Sequence, residues 1–180
     1  MVSPVLFSSA DDDWETPPAF FDRLDAIFDF QLDAAAAAHN TKCAQYFTRK
    51  DDALKQDWHP YKRIWLNPPY GRVMPQWMEK AYRESRKGCM VVCLVPARTD
   101  TRWWHEFVHD KALVTFVRSR LKFRNPTKCP NRDGNTVFPS AVVIYGLDMD
   151  WLLNADAHRR IGRRAGHCGI DTPYGDDLRQ

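Results

Sequence analysis

The chain has 180 residues, 44% of them hydrophobic and 27% charged, with a formal net charge of +3. That length favours one domain with enough apolar content for a core. No apolar run reaches membrane-spanning length, and the 5 cysteines include no CxxC pair, so a membrane span and a disulfide framework are both disfavoured and a reducing cytoplasm is expected.

Residues 1–16 read as irregular, without a basic-then-apolar leader. Pro17-Pro18 then opens a helix, since proline is tolerated in the first turn, and Phe20, Phe21, Leu24, Ile27 and Phe28 share one helical face. Phe30-Gln31-Leu32 predicts a short strand ending at Asp33, followed by an alanine run from Ala34 to Ala38 that reads otherwise as a helix start capped by Asp33. Short strands are predicted over Gln45–Thr48 and Arg63–Leu66. Pro75–Arg86 has helical periodicity, with Trp77, Met78, Ala81 and Tyr82 as its candidate buried face and Gly88 as its stop. Cys89–Val95 is the most apolar run and bears the marks of a central strand covered on both faces, with Cys89 and Cys93 as small core residues. A helix over Thr101–His109, a strand over Leu113–Val117, a basic loop over 120–137 and a strand over Pro139–Tyr145 complete the pattern.

Alternating strands and helices predict an α/β fold with a mostly parallel sheet. The last two strands, joined without a helix, are expected to pair antiparallel at one edge. Residues 1–150 read as one catalytic domain and 151–180 as a basic, partly ordered tail. His158, His167 and Cys168 in that tail lack a second cysteine at finger spacing, so no metal is expected.

Charge is unevenly spread. Residues 11–33 hold Asp11, Asp12, Asp13, Glu15, Asp22, Asp25, Asp29 and Asp33 against Arg23 alone, whereas the stretch from Arg98 to Arg132 is basic. The basic stretch suits a polyanionic partner; an ordinary solvated face is the other reading.

Asn67-Pro68-Pro69-Tyr70 directly follows the Arg63–Leu66 strand, where open α/β sheets bind ligands. Two consecutive prolines hold the loop stiff and contribute no N–H. The Asn67 side chain and the Pro68 carbonyl therefore offer two acceptors for one –NH2 group, and Tyr70 adds a flat apolar face. These parts match a planar group bearing an exocyclic amine, either a nucleobase or a side-chain amide. Two such bonds favour the tetrahedral nitrogen of a transition state and need no strong base, provided the electrophile is reactive. A sulfonium methyl donor meets that demand without a metal.

Asn-Pro-Pro-Tyr after a strand resembles the catalytic motif of S-adenosylmethionine-dependent amino-group methyltransferases. The chain as a whole is similar to the phage-type Dam family of DNA adenine-N6 methyltransferases. The resemblance is carried by Trp14-Glu15-Thr16-Pro17, Phe30-Gln31-Leu32-Asp33-Ala34-Ala35, Asn40, Lys42-Cys43, Tyr46, Asp52, Leu54, Asp57-Trp58 and Trp65-Leu66-Asn67-Pro68-Pro69-Tyr70, over roughly residues 12–147. It implies a Rossmann-like methyltransferase fold with S-adenosylmethionine as cofactor. It further implies that Thr16 and Pro17 lie near the methionine end of the cofactor and that Asp33 pairs with its α-amino group. Asp57 would lie near its adenine, Asp52 near its ribose, and Asn67, Pro68, Pro69 and Tyr70 would form the catalytic loop. The turn Asp33-Ala34-Ala35 replaces the glycine-rich turn of many methyltransferases.

The implied partner is DNA. A stacked adenine cannot reach Asn67, so the base must flip out, at a cost of a few kcal/mol that phosphate contacts offset. Arg118, Arg120, Lys122, Arg124, Lys128 and Arg132 are the candidates for those contacts, with Arg159, Arg160, Arg163 and Arg164 as further ones. A cytoplasmic, phage- or prophage-encoded monomer is expected. Methyl transfer to RNA adenine or to protein glutamine is an alternative, because the same motif serves those acceptors. A DNA-binding module without enzymatic activity is another.

Overall fold

The computed structural model describes residues 15–125, 129–135 and 138–147. In chain order its elements are α1 (Pro18–Phe28), β1 (Leu32–Asp33), β2 (Gln45–Tyr46), β3 (Arg63–Leu66), α2 (Met74–Arg86) and β4 (Met90–Pro96), then α3 (Arg102–Phe107), β5 (Leu113–Phe116), β6 (Lys122–Asn125), β7 (Cys129–Asn135) and β8 (Ser140–Tyr145). Six strands form one sheet in the order β2-β1-β3-β4-β8-β5. β1 pairs parallel with β2 and β3, and β3 parallel with β4. β8 runs antiparallel to both β4 and β5. This is the expected α/β, Rossmann-like arrangement of a methyltransferase sheet. The antiparallel pair stands at the edge, with β5 outermost and β8 inserted between β5 and β4.

Side chains on the sheet alternate between two cores because successive strand residues point to opposite faces. Leu32, Ile64, Leu66, Val91, Cys93, Val95, Ala141, Val143 and Tyr145 pack with Met74, Met78 and Ala81 of α2 and Trp103 and Trp104 of α3. Trp65, Val92, Leu94, Val142 and Ile144 pack on the other face with Phe21 and Phe28 of α1, Phe30 and Phe123. A strand apolar throughout, such as β4, is what two covered faces require. Burial of each large side chain there contributes roughly 1.5–3 kcal/mol.

α1 begins one residue into the predicted helix; Pro17 takes the cap position, and its carbonyl accepts from the Phe20 and Phe21 amides at 3.0 and 3.1 Å. Phe21 and Phe28 are buried, whereas Ile27, assigned to the same face, is 41% exposed. On α2 the expected Met78 and Ala81 are buried, joined by Met74 and Glu84.

One expectation is corrected and one alternative reading is excluded. Residues 120–137 are not a plain loop, because β6 and β7 pair antiparallel, Lys122 opposite Asn135 and Phe123 opposite Gly134. Phe123 is fully buried in the α1-side core and anchors the ribbon. Both strands of a two-stranded ribbon are edges, so Pro130 fits within β7. The alanine run is not a helix start either: residues 34–40 form turns, and Asn40 Oδ1 accepts from the Ala37 amide at 2.7 Å. Lys128 and residues 151–180, with the tail arginines, His158, His167 and Cys168, lie outside the described residues.

Gly146 closes the sheet after β8. Its φ is +70°, and a Cβ there would meet the Cys89 carbonyl oxygen at 2.1 Å. Gly88 also has positive φ, but no atom lies within 4 Å of its would-be Cβ. Gly88→Ala therefore carries only left-handed strain, about 1–2 kcal/mol. Gly146→Ala adds a backbone collision and is expected to lower the urea midpoint by clearly more. Equal midpoints for the two variants would refute this account of the packing.

Candidate active site

The parallel strands β1, β2 and β3 end on the same side of the sheet, and a cavity of about 330 Å³ lies beyond those ends. Backbone bonds extend the strand ladder into its walls. The Ala34 amide donates to the Trp65 carbonyl at 3.0 Å, the Phe47 amide to the Asp33 carbonyl at 3.0 Å and the Ala36 amide to the Phe47 carbonyl at 2.9 Å. The turn after β1 is thus held beside the loop after β3.

The cavity brings together Thr16, Asp33, Ala34, Asp52, Asn67, Pro68, Pro69 and Tyr70. It does not include Pro17, which serves as the α1 cap, or Asp57. The Asp57 carboxylate stands in a separate surface depression, where it accepts from Lys87 Nζ at 3.3 Å and from the His59 amide at 3.3 Å. These bonds hold its pKa below the usual carboxylate value.

Asp33 is 3% exposed. Its Oδ2 accepts from the Lys42 amide at 2.9 Å and its Oδ1 from the Ala35 amide at 3.3 Å. Burial nevertheless dominates and pushes its pKa up to about 6. A carboxylate so placed gains from a cationic ligand more than an exposed one would. The Thr16 hydroxyl, also in the wall, is buried without a hydrogen-bond partner among the described residues. Such orphaned groups are rare unless something completes them.

In the loop after β3 the Tyr70 hydroxyl donates to Asn67 Oδ1 at 2.9 Å and approaches the Leu94 carbonyl at 3.4 Å. Burial pushes the Tyr70 pKa far up, so the hydroxyl stays a donor at any working pH. This bond sets the flip of the Asn67 amide, oxygen as acceptor, while a carbonyl oxygen has lone pairs for two bonds. Among the described residues no donor engages the Pro68 carbonyl.

The Tyr70 ring meets Phe123 of β6 edge-on at 6.3 Å and Phe138 at 5.5 Å. The Arg98 guanidinium lies over the Phe138 ring, 6.0 Å from its centroid. Through these rings the loop after β3 touches Phe123 of the β6–β7 ribbon. Arg124 and Arg132 belong to the two strands of that ribbon, Lys122 opens it, and Arg118 and Arg120 are exposed in the segment leading to it.

The segment carrying Asp52 and Ala53 is fastened to α2. Trp58 Nε1 donates to the Ala53 carbonyl at 2.9 Å, and Lys80 Nζ bonds the Gln56 carbonyl at 2.6 Å and Glu84 Oε1 at 2.7 Å. Lys87 Nζ adds a second cation to Glu84 at 2.9 Å.

Several residues of the wall carry no site role in the sequence, among them Asn40, Lys42, Phe47 and Arg49, and Trp77 stands out there only as a buried-face residue of its helix. For Asn40 and Lys42 a signal existed, since both belong to the residues carrying the family resemblance. Among the described residues no cluster of three metal-ligating side chains occurs.

Sheet order, strand-end cavity and the Asn-Pro-Pro-Tyr loop together define a Rossmann-like methyltransferase. Residues 5–153 match the family described as DNA N-6-adenine-methyltransferase (Dam). The chain belongs to that family. It is 30% identical over 109 residues to the DNA N-6-adenine-methyltransferase of Escherichia phage T1, covering 60% of this chain and 45% of that protein. It is 29% identical over 135 residues to the DNA N-6-adenine-methyltransferase of Haemophilus phage HP1 (strain HP1c1), covering 73% of this chain and 77% of that protein. The chain therefore spans under half the length of the first relative and about three quarters of the second.

Proposed function

We propose that this chain methylates the N6 amine of adenine in DNA, with S-adenosylmethionine as donor, in the cytoplasm of a bacterial host. One observation carries the reading: a single strand-end cavity joins the Asn67–Tyr70 loop to Asp33, Ala34 and Thr16 in a chain of the Dam family.

The wall fits such a donor. Asp33 offers a buried carboxylate for an α-ammonium group, and the orphaned Thr16 hydroxyl offers a partner at the same end. Ala34 is fully buried, so its small side chain leaves the turn after β1 close to any ligand. Asp52, with φ of 51° and an ion pair to Lys55 at 2.7 Å, is the wall carboxylate placed for ribose hydroxyls. Asp57 and Pro17 take no part in this reading. When bound, the donor supplies a methyl group activated by its sulfonium charge.

Asn67 Oδ1 and the Pro68 carbonyl accept the two N–H groups of the target amine, and Pro69 keeps the loop rigid. As the nitrogen's lone pair bonds the methyl carbon, that carbon's bond to the sulfonium sulfur breaks and leaves a neutral thioether, and the nitrogen becomes tetrahedral and positively charged. Both acceptors bind that form more strongly than the planar amine, which is differential stabilisation of the transition state. The proton leaves to solvent after the bond forms, so the loop needs no base. Tyr70 supplies the aromatic wall against a flipped base, and the cations at Arg118, Arg120, Lys122, Arg124, Lys128 and Arg132 attract phosphates.

Incubation with radioactive methyl donor and DNA, RNA or protein tests the reading. Label is expected in N6-methyladenine of DNA. Label confined to RNA or to glutamine would overturn it.

The Tyr70–Asn67 hydrogen bond is separable from the ring. Tyr70→Phe keeps the aromatic face and removes one neutral hydrogen bond, worth about 0.5–1.5 kcal/mol. kcat is expected to fall by about three- to tenfold with KM for DNA little changed, as steady-state kinetics would show. A rise in KM alone would mean that the hydroxyl serves the base and not the amide.

A further inference from the structure

We propose that Lys42 is the anchor for the α-carboxylate of the methyl donor, so that Lys42 and Asp33 together hold an amino-acid zwitterion. The inference rests on the donor proposed above and deepens it. An α-amino acid carries its ammonium and its carboxylate on one carbon, so the groups that bind them must be neighbours. The turn after β1 makes these two residues neighbours although nine positions separate them: the Lys42 amide donates to Asp33 Oδ2 at 2.9 Å. The Lys42 side chain is half-buried and lines the same cavity as Asp33.

The cavity wall also holds the polar residues Glu15, Thr16 and Asn40. Glu15 faces His39 at 3.8 Å, and Asn40 Oδ1 is occupied by the Ala37 amide. Thr16 is neutral, with its hydroxyl unpartnered among the described residues. Among the described residues of the wall the cations are Lys42 and Arg49, and Lys42 is the one whose amide bonds Asp33. Arg49, the other cation in the wall, is exposed and follows β2, next to the segment that carries Asp52. A bond between a cation and a carboxylate is charge-assisted and stronger than a neutral one.

Two ligands separate this role from a merely structural one. S-adenosylhomocysteine retains the zwitterion, whereas 5′-methylthioadenosine keeps the nucleoside and lacks the amino-acid head. In calorimetry on the full chain, Lys42→Met is expected to weaken S-adenosylhomocysteine by about tenfold or more and to leave 5′-methylthioadenosine unchanged. Lys42→Arg is expected to restore most of the loss. Unchanged affinity for S-adenosylhomocysteine in Lys42→Met would overturn the assignment, and so would an equal loss for both ligands, which would mark a folding role. Failure of the unaltered chain to bind either ligand would overturn the donor reading beneath it.

Discussion

Asn67→Ala is expected to lower kcat for DNA methylation by about a hundredfold or more, the size of effect seen when one preorganised polar group is lost from an active site. The side chain sits at the end of β3 and is half-buried. Its oxygen is held in place by the Tyr70 hydroxyl at 2.9 Å. Truncation removes one of the two proposed acceptors together with its bond from that hydroxyl. Because the proposed clamp acts on the nitrogen as charge develops, the loss should appear in kcat more than in KM. S-adenosylhomocysteine affinity should change by less than about threefold, since the substitution touches no charged anchor. Near-normal turnover would exclude the clamp. A large loss of cofactor affinity would mean that Asn67 serves the donor instead.

The second large effect belongs to Asp33. Its carboxyl is pushed up to about 6 by burial, against the bonds from the Lys42 and Ala35 amides and the Lys42 charge. An ammonium ligand requires the ionised form. Donor affinity should therefore be flat above pH 6 and fall by about tenfold per pH unit below it, as Asp33 must first release a proton. Cys43 beside it is pushed up to about 12, chiefly by burial and then by the Asp33 and Asp25 charges, so its thiol stays neutral over this range. Asp33→Asn should weaken S-adenosylhomocysteine by at least about tenfold and abolish the acid limb. An acid limb that survives in the Asn variant would assign it to another group.

The same carboxyl predicts an opposite effect on stability without ligand. Its folded pKa is raised above the unfolded value of 3.8. Its stabilising contribution is therefore full below the unfolded pKa and lost as pH rises through the folded one. Relative to Asp33→Asn, the unaltered protein should lose on the order of 3 kcal/mol between pH 4 and pH 7. Denaturation of both proteins at the two pH values measures this. The function proposed for Asp33 thus runs against the stability of the empty site.

Much of this molecule is written in local patterns. Cys89–Val95 announces β4 because a strand covered on both faces is apolar at every position. The 3.6-residue period places Met78 and Ala81 of α2 inward, as observed. Asn67, Pro68, Pro69 and Tyr70 stand out by their chemistry alone, and the family resemblance adds Thr16, Asp33, Ala34 and Asp52, all of which line one cavity. The β6–β7 ribbon escaped because its sequence is basic and interrupted by proline. What anchors it is Phe123, and a single buried aromatic leaves no periodic signal.

Sequence alone thus determined the class of fold, the motif after β3 and the acidic residue that ends β1, because each depends on neighbours along the chain. Only tertiary structure decided the walls of the cavity. Lys42 reaches Asp33 through the turn between β1 and β2, and Asp52 is carried in by a segment fastened to α2 through Trp58, Lys80 and Glu84. Asp57 stands at the surface beside Lys87, outside that cavity. These placements follow from burial and hydrogen bonding between segments distant in sequence, and local spacing does not encode which of two nearby carboxylates lines the cavity.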